Sequence, residues 1–174
     1  LVKTFNNSLN NGRLAHAFLL TGIRGVGKTT TARIIAKALN CVSDGNKKEP
    51  TFEICNECSP CKSINNGNFL DVIEVDAASR TGVDGIREII DSVMYSPNNA
   101  RYKVYIIDEV HMLSNAAFNA LLKTLEEPPQ NVKFIFATTE IKKIPATIIS
   151  RCQKFDLQRV DIVTLTNHLN QICK

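Results

Sequence analysis

The residues of this chain with the most distinctive chemical potential are a glycine-rich run that ends in lysine and threonine. Residues 22–29 fit the pattern G-x-x-x-x-G-K-[ST], in which a loop and the start of a helix surround nucleotide phosphates. Glycine lets backbone N–H groups turn toward phosphate oxygens. Lys28 would neutralise the β- and γ-phosphates, and the Thr29 hydroxyl would bind Mg²⁺. The predicted nucleotide contacts in this run are Gly22, Ile23, Arg24, Gly25, Val26, Gly27, Lys28, Thr29 and Thr30.

An acidic pair further along the chain favours hydrolysis over passive binding. The apolar run 104–107 ends in Asp108 and Glu109. We expect Asp108 to hold the hydration shell of Mg²⁺ and Glu109 to orient or deprotonate the attacking water, because phosphoryl transfer depends on positioning and charge neutralisation. Alone, such a pair could equally be a solvated end of a strand. Together with the phosphate loop, it predicts an ATPase that uses Mg²⁺.

Four cysteines form a candidate metal site. Three of them follow the spacing C-x-x-C-x-x-C, and a fourth lies just before the polar segment that contains them; the set is Cys41, Cys55, Cys58 and Cys61. Four thiolates suit tetrahedral Zn²⁺, which would be structural because no coordination position stays open. The alternatives are unligated thiols and an iron–sulfur cluster, although residues 62–65 lack the further cysteine and proline of a ferredoxin run. Cys152 and Cys173 are expected to be small buried hydrophobes.

Strand-like and helix-like patterns alternate around these motifs. Alternation of this kind predicts an α/β fold with a parallel five-stranded sheet flanked by helices. Ser114 and Asp161 are candidate helix caps, and Pro128-Pro129 would end the helix that starts after Ser114. The predicted strands are 17–20, 70–75, 103–107, 132–138 and 152–157, and the predicted helices are 29–40, 83–93, 114–125 and 161–172. Residues 41–69 interrupt the alternation and read as an insertion without a core of its own.

The composition and the chain ends limit the classes of protein to which this chain could belong. The net charge of +4 permits contact with nucleic acid without arguing for it. No apolar run is long enough for a membrane span, and no signal-peptide pattern opens the chain. Six cysteines without a sign of export suggest the cytoplasm. Because Leu1 is not methionine and Lys174 lies in a helical pattern, we expect residues 1–174 to be one nucleotide-binding domain cut from a longer protein.

The order of several motifs resembles a known family. They occupy residues 16–20, 22–29, 76–81, 108–113, 119–129, 137–139 and 150–152. Together they are similar to the tau/gamma subunits of the bacterial DNA polymerase III clamp loader, which are P-loop ATPases of the AAA+ class. The resemblance covers nearly the whole chain, and its narrowest parts are residues 121–129 and the cysteine insertion. It implies an ATP-driven subunit that loads a sliding clamp onto primed DNA within a hetero-oligomeric ring containing delta and delta-prime subunits.

The resemblance also implies roles for individual residues. Thr139 stands where AAA+ proteins place sensor 1, often an asparagine, which senses the γ-phosphate. Arg151 matches a finger that acts in trans on the ATP site of the neighbouring subunit; its alternative is an ordinary surface salt bridge. Residues 158–174 would begin the helical lid, whose remainder and the collar domain would follow. Three positions resemble residues that meet DNA phosphates, although a solvated basic face is the alternative: Arg80, Arg87 and Lys123.

Two other functions compete with this one. Residues 108–111 read D-E-V-H, as in a DExH helicase, but the chain has neither a second motor domain nor a Ser-Ala-Thr-like coupling motif. A non-hydrolysing scaffold like the delta-prime subunit is the third possibility. That subunit carries the zinc insertion but, in the family pattern, lacks a working phosphate loop, so residues 27–29 favour the tau/gamma assignment.

Overall fold

The fold is a parallel five-stranded sheet with helices on both faces. A computed structural model describes residues 2–10, 12, 14–43, 49–79 and 83–173. The strands are β1 (Ala17–Thr21), β2 (Val72–Asp76), β3 (Lys103–Asp108), β4 (Val132–Thr138) and β5 (Gln153–Asp156). Their order across the sheet is β2-β3-β4-β1-β5, with every neighbouring pair parallel. The α/β prediction is therefore confirmed.

Seven α-helices accompany the strands within the described part of the chain. Ser114 and Asp161 cap helices as predicted, since their side chains accept the N–H groups of Ala117 (3.2 Å) and Thr164 (2.8 Å). None of these helices is long and apolar enough to cross a membrane. The helices are α1 (Val2–Asn10), α2 (Lys28–Asn40), α3 (Ser59–Asn65), α4 (Val83–Val93), α5 (Asn115–Glu126), α6 (Ala146–Ile149) and α7 (Ile162–Ile172).

The central strands are buried on both faces, as a covered parallel sheet requires. Successive side chains of a strand point to opposite faces, and in β1 Leu19 enters one core while Phe18 and Leu20 enter the other. The first core includes side chains of α4 and α5, and the second includes side chains of α1, α2 and α3. The sheet therefore gives the loops at its ends a rigid support.

The second strand and the insertion differ from their predicted structures. The second strand is predicted at 70–75 but runs from Val72 to Asp76. Leu70 is 76% exposed, and the buried Asp71 carboxylate instead accepts three backbone N–H groups from residues 98–100 at 2.8–2.9 Å. The insertion contains α3, which the patterns do not predict. Its apolar residues, Ile64 among them, join the second core of the sheet, so the insertion has no separate core, as expected.

Parallel strands bring their carboxyl ends to one edge of the sheet. The phosphate loop follows β1, Asp108 ends β3, and Thr139 follows β4. Ligands of open α/β sheets bind at this edge. The topology therefore gathers residues from distant parts of the sequence into one candidate site.

Candidate nucleotide site and cysteine centre

The phosphate loop joins β1 to α2, as its sequence predicts. Gly25 and Gly27 have φ angles of +80° and +91°, a left-handed region that favours glycine. No described atom lies within 4 Å of where a Cβ would stand at either position, so backbone conformation rather than crowding calls for glycine. The Lys28 ammonium donates to the carbonyl oxygens of Gly22 (3.2 Å) and Ile23 (3.0 Å). These bonds hold the lysine against its own loop.

Gly22 is required for a different reason, the close approach of a second chain segment. Its φ is +150°, and a Cβ there would lie 2.6 Å from the carbonyl oxygen of Leu157. Leu157 also donates its N–H to the carbonyl oxygen of Thr21 at 2.8 Å, and the Thr21 hydroxyl donates to the Asp156 carboxylate. The start of the phosphate loop is thus packed against the chain that leaves β5.

The two predicted magnesium ligands meet in the structure although they lie 79 positions apart. The Thr29 hydroxyl donates to one oxygen of the Asp108 carboxylate, and the other oxygen accepts the Glu109 N–H at 2.8 Å. Hydroxyl and carboxylate oxygens are hard ligands of the kind that Mg²⁺ prefers. A cavity of about 360 Å³ lies beside them, lined by loop residues between Arg24 and Thr30 and by both acidic residues. The residues present therefore fit a magnesium–nucleotide complex.

Glu109 lies between this cavity and a second one. Its φ of +46° is unusual for a side-chain-bearing residue, and its carboxylate Oε2 accepts the Thr139 hydroxyl at 3.2 Å. The second cavity, about 610 Å³, is lined by Thr139, His111 and Asp76 among others. Of the predicted contacts, Gly22, Ile23 and Val26 do not line the first cavity. His111 belongs to the D-E-V-H run, but sequence reasoning assigned it no role.

The four predicted cysteines converge at the far end of α2. Their sulfur atoms all lie within 4.8 Å of one another, and the Cys41 sulfur lies 3.6 Å from that of Cys55 and 4.0 Å from that of Cys58. Sulfurs bound tetrahedrally at about 2.3 Å from zinc stand about 3.8 Å apart. All four thiols are free, and the separations are far beyond a disulfide bond. The cluster therefore fits one tetrahedral metal ion.

The electrostatic surroundings of the cluster favour the thiolate of Cys55 and oppose that of Cys61. The N–H groups of Cys58 and Glu57 lower the pKa of the Cys55 thiol to about 6, and burial raises that of Cys61. Arg101 donates through Nη2 to the carbonyl oxygen of Cys41, while its Nη1 is buried without a hydrogen-bond partner among the described residues. Four thiolates and Zn²⁺ would sum to −4 + 2 = −2, which a neighbouring guanidinium would partly offset.

Cys152 and Cys173 lie apart from this cluster. Cys152 is partly buried against the first core, and burial raises its pKa to about 12. Cys173 is exposed at the end of α7, so the expectation that it would be buried is wrong. The apolar residues of α7 are exposed as well, because the helix does not pack on either core.

The predicted finger and two of the three predicted DNA contacts lie on the surface. Arg151 donates to the carbonyl oxygen of Thr147 at 2.7 Å and pairs with Glu126 at 2.5 Å, and it lines neither cavity beside the phosphate loop. Arg87 and Lys123 are exposed on α4 and α5, which pack against each other. Arg80 lies outside the described residues.

The family model and the relatives that match this chain are all described as subunits of DNA polymerase III. A family model described as DNA polymerase III, delta subunit, matches residues 1–161. The chain is 55% identical over 172 residues to DNA polymerase III subunit tau of Bacillus subtilis, covering 99% of the chain and 30% of that protein. It is 52% identical to subunit tau of Escherichia coli, covering 95% and 25%. The chain thus spans less than a third of either relative.

Solved structures share the fold at low sequence identity. A gamma subunit-related protein of Thermotoga maritima superposes with a TM-score of 0.60 at 20% identity, over 94% of this chain and 47% of that one. A RuvB mutant from the same organism gives a TM-score of 0.62 at 18% identity, over 98% and 49%. These likenesses show that the chain shares its fold with both proteins.

Proposed function

We propose that this chain, which belongs to the family described as DNA polymerase III, delta subunit, binds and hydrolyses ATP as part of a clamp loader. The observation that carries the proposal is the meeting of five side chains at one sheet edge: the Lys28 ammonium, the Thr29–Asp108 pair, and Glu109 with Thr139. Relatives named DNA polymerase III subunit tau that are 52–55% identical support the tau/gamma interpretation over a delta-prime-like scaffold. The whole protein would drive loading of a sliding clamp onto primed DNA.

Each group has a distinct part in the proposed reaction. Lys28 would exchange its loop carbonyl bonds for phosphate oxygens and neutralise their charge. Thr29 and Asp108 would hold Mg²⁺, which supplies further charge neutralisation between the phosphates. Glu109 would orient the attacking water and accept its proton, and Thr139 would fix the Glu109 carboxylate through the bond already formed at 3.2 Å. The site would thus bring water and phosphate together in line.

The cysteine centre would be structural. Cys41 lies directly after α2, and the other three cysteines bracket the start of α3, so a zinc ion held by all four would fasten residues 41–69 to the helix that carries Lys28 and Thr29. A site with four protein ligands leaves no open position for catalysis. We therefore assign zinc a role in folding rather than in hydrolysis.

Assembly would complete the proposed enzyme. Arg151 lies away from its own cavities and would act on the ATP site of a neighbouring subunit, in a ring with delta and delta-prime subunits. Residues 158–174 would begin the helical lid, and the exposed apolar face of α7 supports that placement. Arg80, Arg87 and Lys123 would contact DNA phosphates, and the whole would operate in the cytoplasm.

Hydrolysis by the assembled complex tests the proposal. ATP turnover by the full-length protein with its partner subunits should rise when both sliding clamp and primed DNA are added, because loading couples hydrolysis to DNA. The matched control is a complex in which this subunit carries Lys28→Ala. ATP binding without turnover under every condition would instead favour the non-hydrolysing scaffold. Turnover by the Lys28→Ala complex equal to that of the wild-type complex would show that this site does not hydrolyse ATP.

Arg151→Ala tests the assembly. A finger that acts in trans leaves ATP affinity at its own site unchanged and stabilises charge at the neighbouring site, where such arginines are worth roughly 10³–10⁵ in rate. In complexes with one mutated subunit, the neighbouring site should therefore fail while the mutated subunit's site works. Loss of hydrolysis at the mutated subunit's own site would contradict action in trans. No change at either site would mean that Arg151 only forms its surface salt bridge with Glu126.

A further inference from the structure

His111 is a nearly buried imidazole held between two carboxylates. Its side chain is 7% exposed. Nδ1 lies 3.0 Å from the Thr138 hydroxyl and 3.4 Å from Oε2 of Glu109, and Nε2 lies 3.5 Å from Oε1 of Glu140. Both ring nitrogens therefore have polar neighbours, and the orientation of the ring is fixed from two sides.

The ring approaches Glu109 from the second cavity. Glu109 lines both cavities, whereas His111 lines the second cavity and not the one beside the phosphate loop. His111 is thus placed beside the proposed base and outside the lining of the cavity that we assign to the phosphates. A group in this position can affect the water-activating step while leaving the phosphate contacts intact.

The two oxygens of the Glu109 carboxylate have different surroundings. Oε2 is met by the Thr139 hydroxyl at 3.2 Å and by the His111 ring at 3.4 Å, while Oε1 makes no hydrogen bond within the described residues. A glutamate side chain has several rotatable bonds, and fixing one oxygen orients the other. The geometry therefore leaves one oxygen for water and gives the second a fixed support.

The opposite side of the ring is anchored by the turn after β4. Glu140 pairs with Lys143 at 2.9 Å and donates its backbone N–H to the Thr138 hydroxyl at 3.0 Å. The Thr138 hydroxyl is completely buried in β4 and lies against Nδ1 of His111. The imidazole is consequently tied to the same strand end that carries Thr139, so the support of Glu109 belongs to the rigid sheet.

We propose that His111 is a positioning residue that holds the Glu109 carboxylate in the orientation needed to activate water. The proposal rests on the proposed function, because it assigns His111 a task only if Glu109 acts on the attacking water. Nδ1, which is hydrogen-bonded to Thr138 and lies 3.4 Å from Glu109, limits the positions of that carboxylate, and Thr138 and Glu140 together limit those of the ring. Loss of the Nδ1 contact lets the carboxylate adopt other rotamers and lowers the fraction of correctly placed sites.

Three variants of the full-length protein in its assembled complex separate the two nitrogens. His111→Ala should lower kcat for ATP hydrolysis by roughly 10- to 100-fold, the effect of misplacing a catalytic group by about 1 Å, with KM for ATP within about twofold. His111→Asn, whose amide can stand near the Nδ1 position, should recover most of the rate. His111→Gln, whose longer side chain reaches toward the Nε2 position, should recover little.

A mutant cycle with Glu109→Gln shows whether His111 acts through Glu109. In that background, adding His111→Ala should not change the residual single-turnover rate, because the group being positioned is gone. Additive losses would overturn the proposal, as would equal rates for the Asn and Gln variants, an unchanged kcat for His111→Ala, or parallel changes in kcat and KM. Normal turnover by Glu109→Gln alone would instead overturn the proposed function.

Discussion

The two candidate sites of this chain lie at opposite ends of one helix and are built in opposite ways. The first turn of α2 carries Lys28 and Thr29, and Cys41 follows its last residue. The phosphate site collects groups from the ends of β1, β3 and β4, which the buried sheet holds in place. The cysteine centre takes three of its four ligands from seven consecutive residues, outside the sheet.

This difference indicates which site depends on its ligand. The phosphate site already contains hydrogen bonds among its own groups, including those of Lys28 and the Thr29–Asp108 pair. Among the described residues, polar contacts that attach the cysteine segment to α2 include the Lys37 ammonium, which donates to the side chains of Asn56 and Asn65 at 3.0 Å, and the Thr51 N–H, which donates to the carbonyl oxygen of Ala38 at 2.8 Å. We therefore expect the sheet to fold without nucleotide, and the insertion to need metal.

The largest expected effect is at the rigid site. Gly22→Ala would drive a Cβ to 2.6 Å from the Leu157 carbonyl oxygen and should destabilise the whole sheet by about 3 kcal/mol. Gly25→Ala is the matched control. No described atom lies near its Cβ position, so only the left-handed backbone conformation should lower the free energy of unfolding, by about 1 kcal/mol. Urea unfolding of both variants measures the difference. Equal losses would mean that packing against Leu157 does not matter.

A local effect is expected at the cysteine centre. The wild-type chain should carry one zinc ion, and Cys58→Ser should remove it, because the tetrahedral set loses a ligand. Hydrogen exchange should then show lost protection in the insertion while β1, β3 and β4 stay protected. Cys173→Ser, at an exposed position, is the control and should keep both metal and protection. Iron in place of zinc, or a sheet that unfolds together with the insertion, would contradict this separation.

The smallest predicted effect concerns Arg101. Its Nη1 is buried without a hydrogen-bond partner in the described part of the chain, and its Nη2 donates to the carbonyl oxygen of Cys41. We therefore expect Arg101 to offset the −2 charge of a zinc-loaded centre. Arg101→Met should weaken zinc binding by about 10- to 100-fold, as changes to groups around metal ligands do. The exposed Arg159→Met should leave affinity unchanged. Competition with a chromogenic chelator measures both, and unaltered affinity in Arg101→Met would restrict Arg101 to a packing role.

The sequence predicted the sheet better than it predicted the contacts between elements. Residues 132–138 were predicted as a strand with the observed limits, because the apolar run 134–137 within them is a local signal. The asparagine-rich helix α1 gives no such signal; its Phe5 is buried against Phe18 and Phe52, so tertiary packing stabilises it. The predicted start of the second strand, at residue 70, was wrong for the same reason: tertiary contacts of Asp71 decide where the strand begins.

Residues that carry a linear motif were likewise easier to find than those that support them. The phosphate loop and the cysteine spacing are readable along the chain, and the structure brings each set together. The placement of His111 depends on Thr138, which lies 27 positions away, and that of Arg101 on Cys41, which lies 60 positions away. No spacing rule connects such pairs, so only the fold identifies them.

The central claim is that the phosphate loop and Glu109 form one hydrolytic site, and a paired binding and turnover measurement tests it most directly. In the assembled complex, Glu109→Gln should bind ATP with nearly wild-type affinity while hydrolysis falls by about 10²-fold or more, because water loses its base. Lys28→Ala should lose ATP binding itself. Wild-type turnover by the Glu109→Gln subunit, or undiminished ATP binding by the Lys28→Ala subunit, would contradict the account.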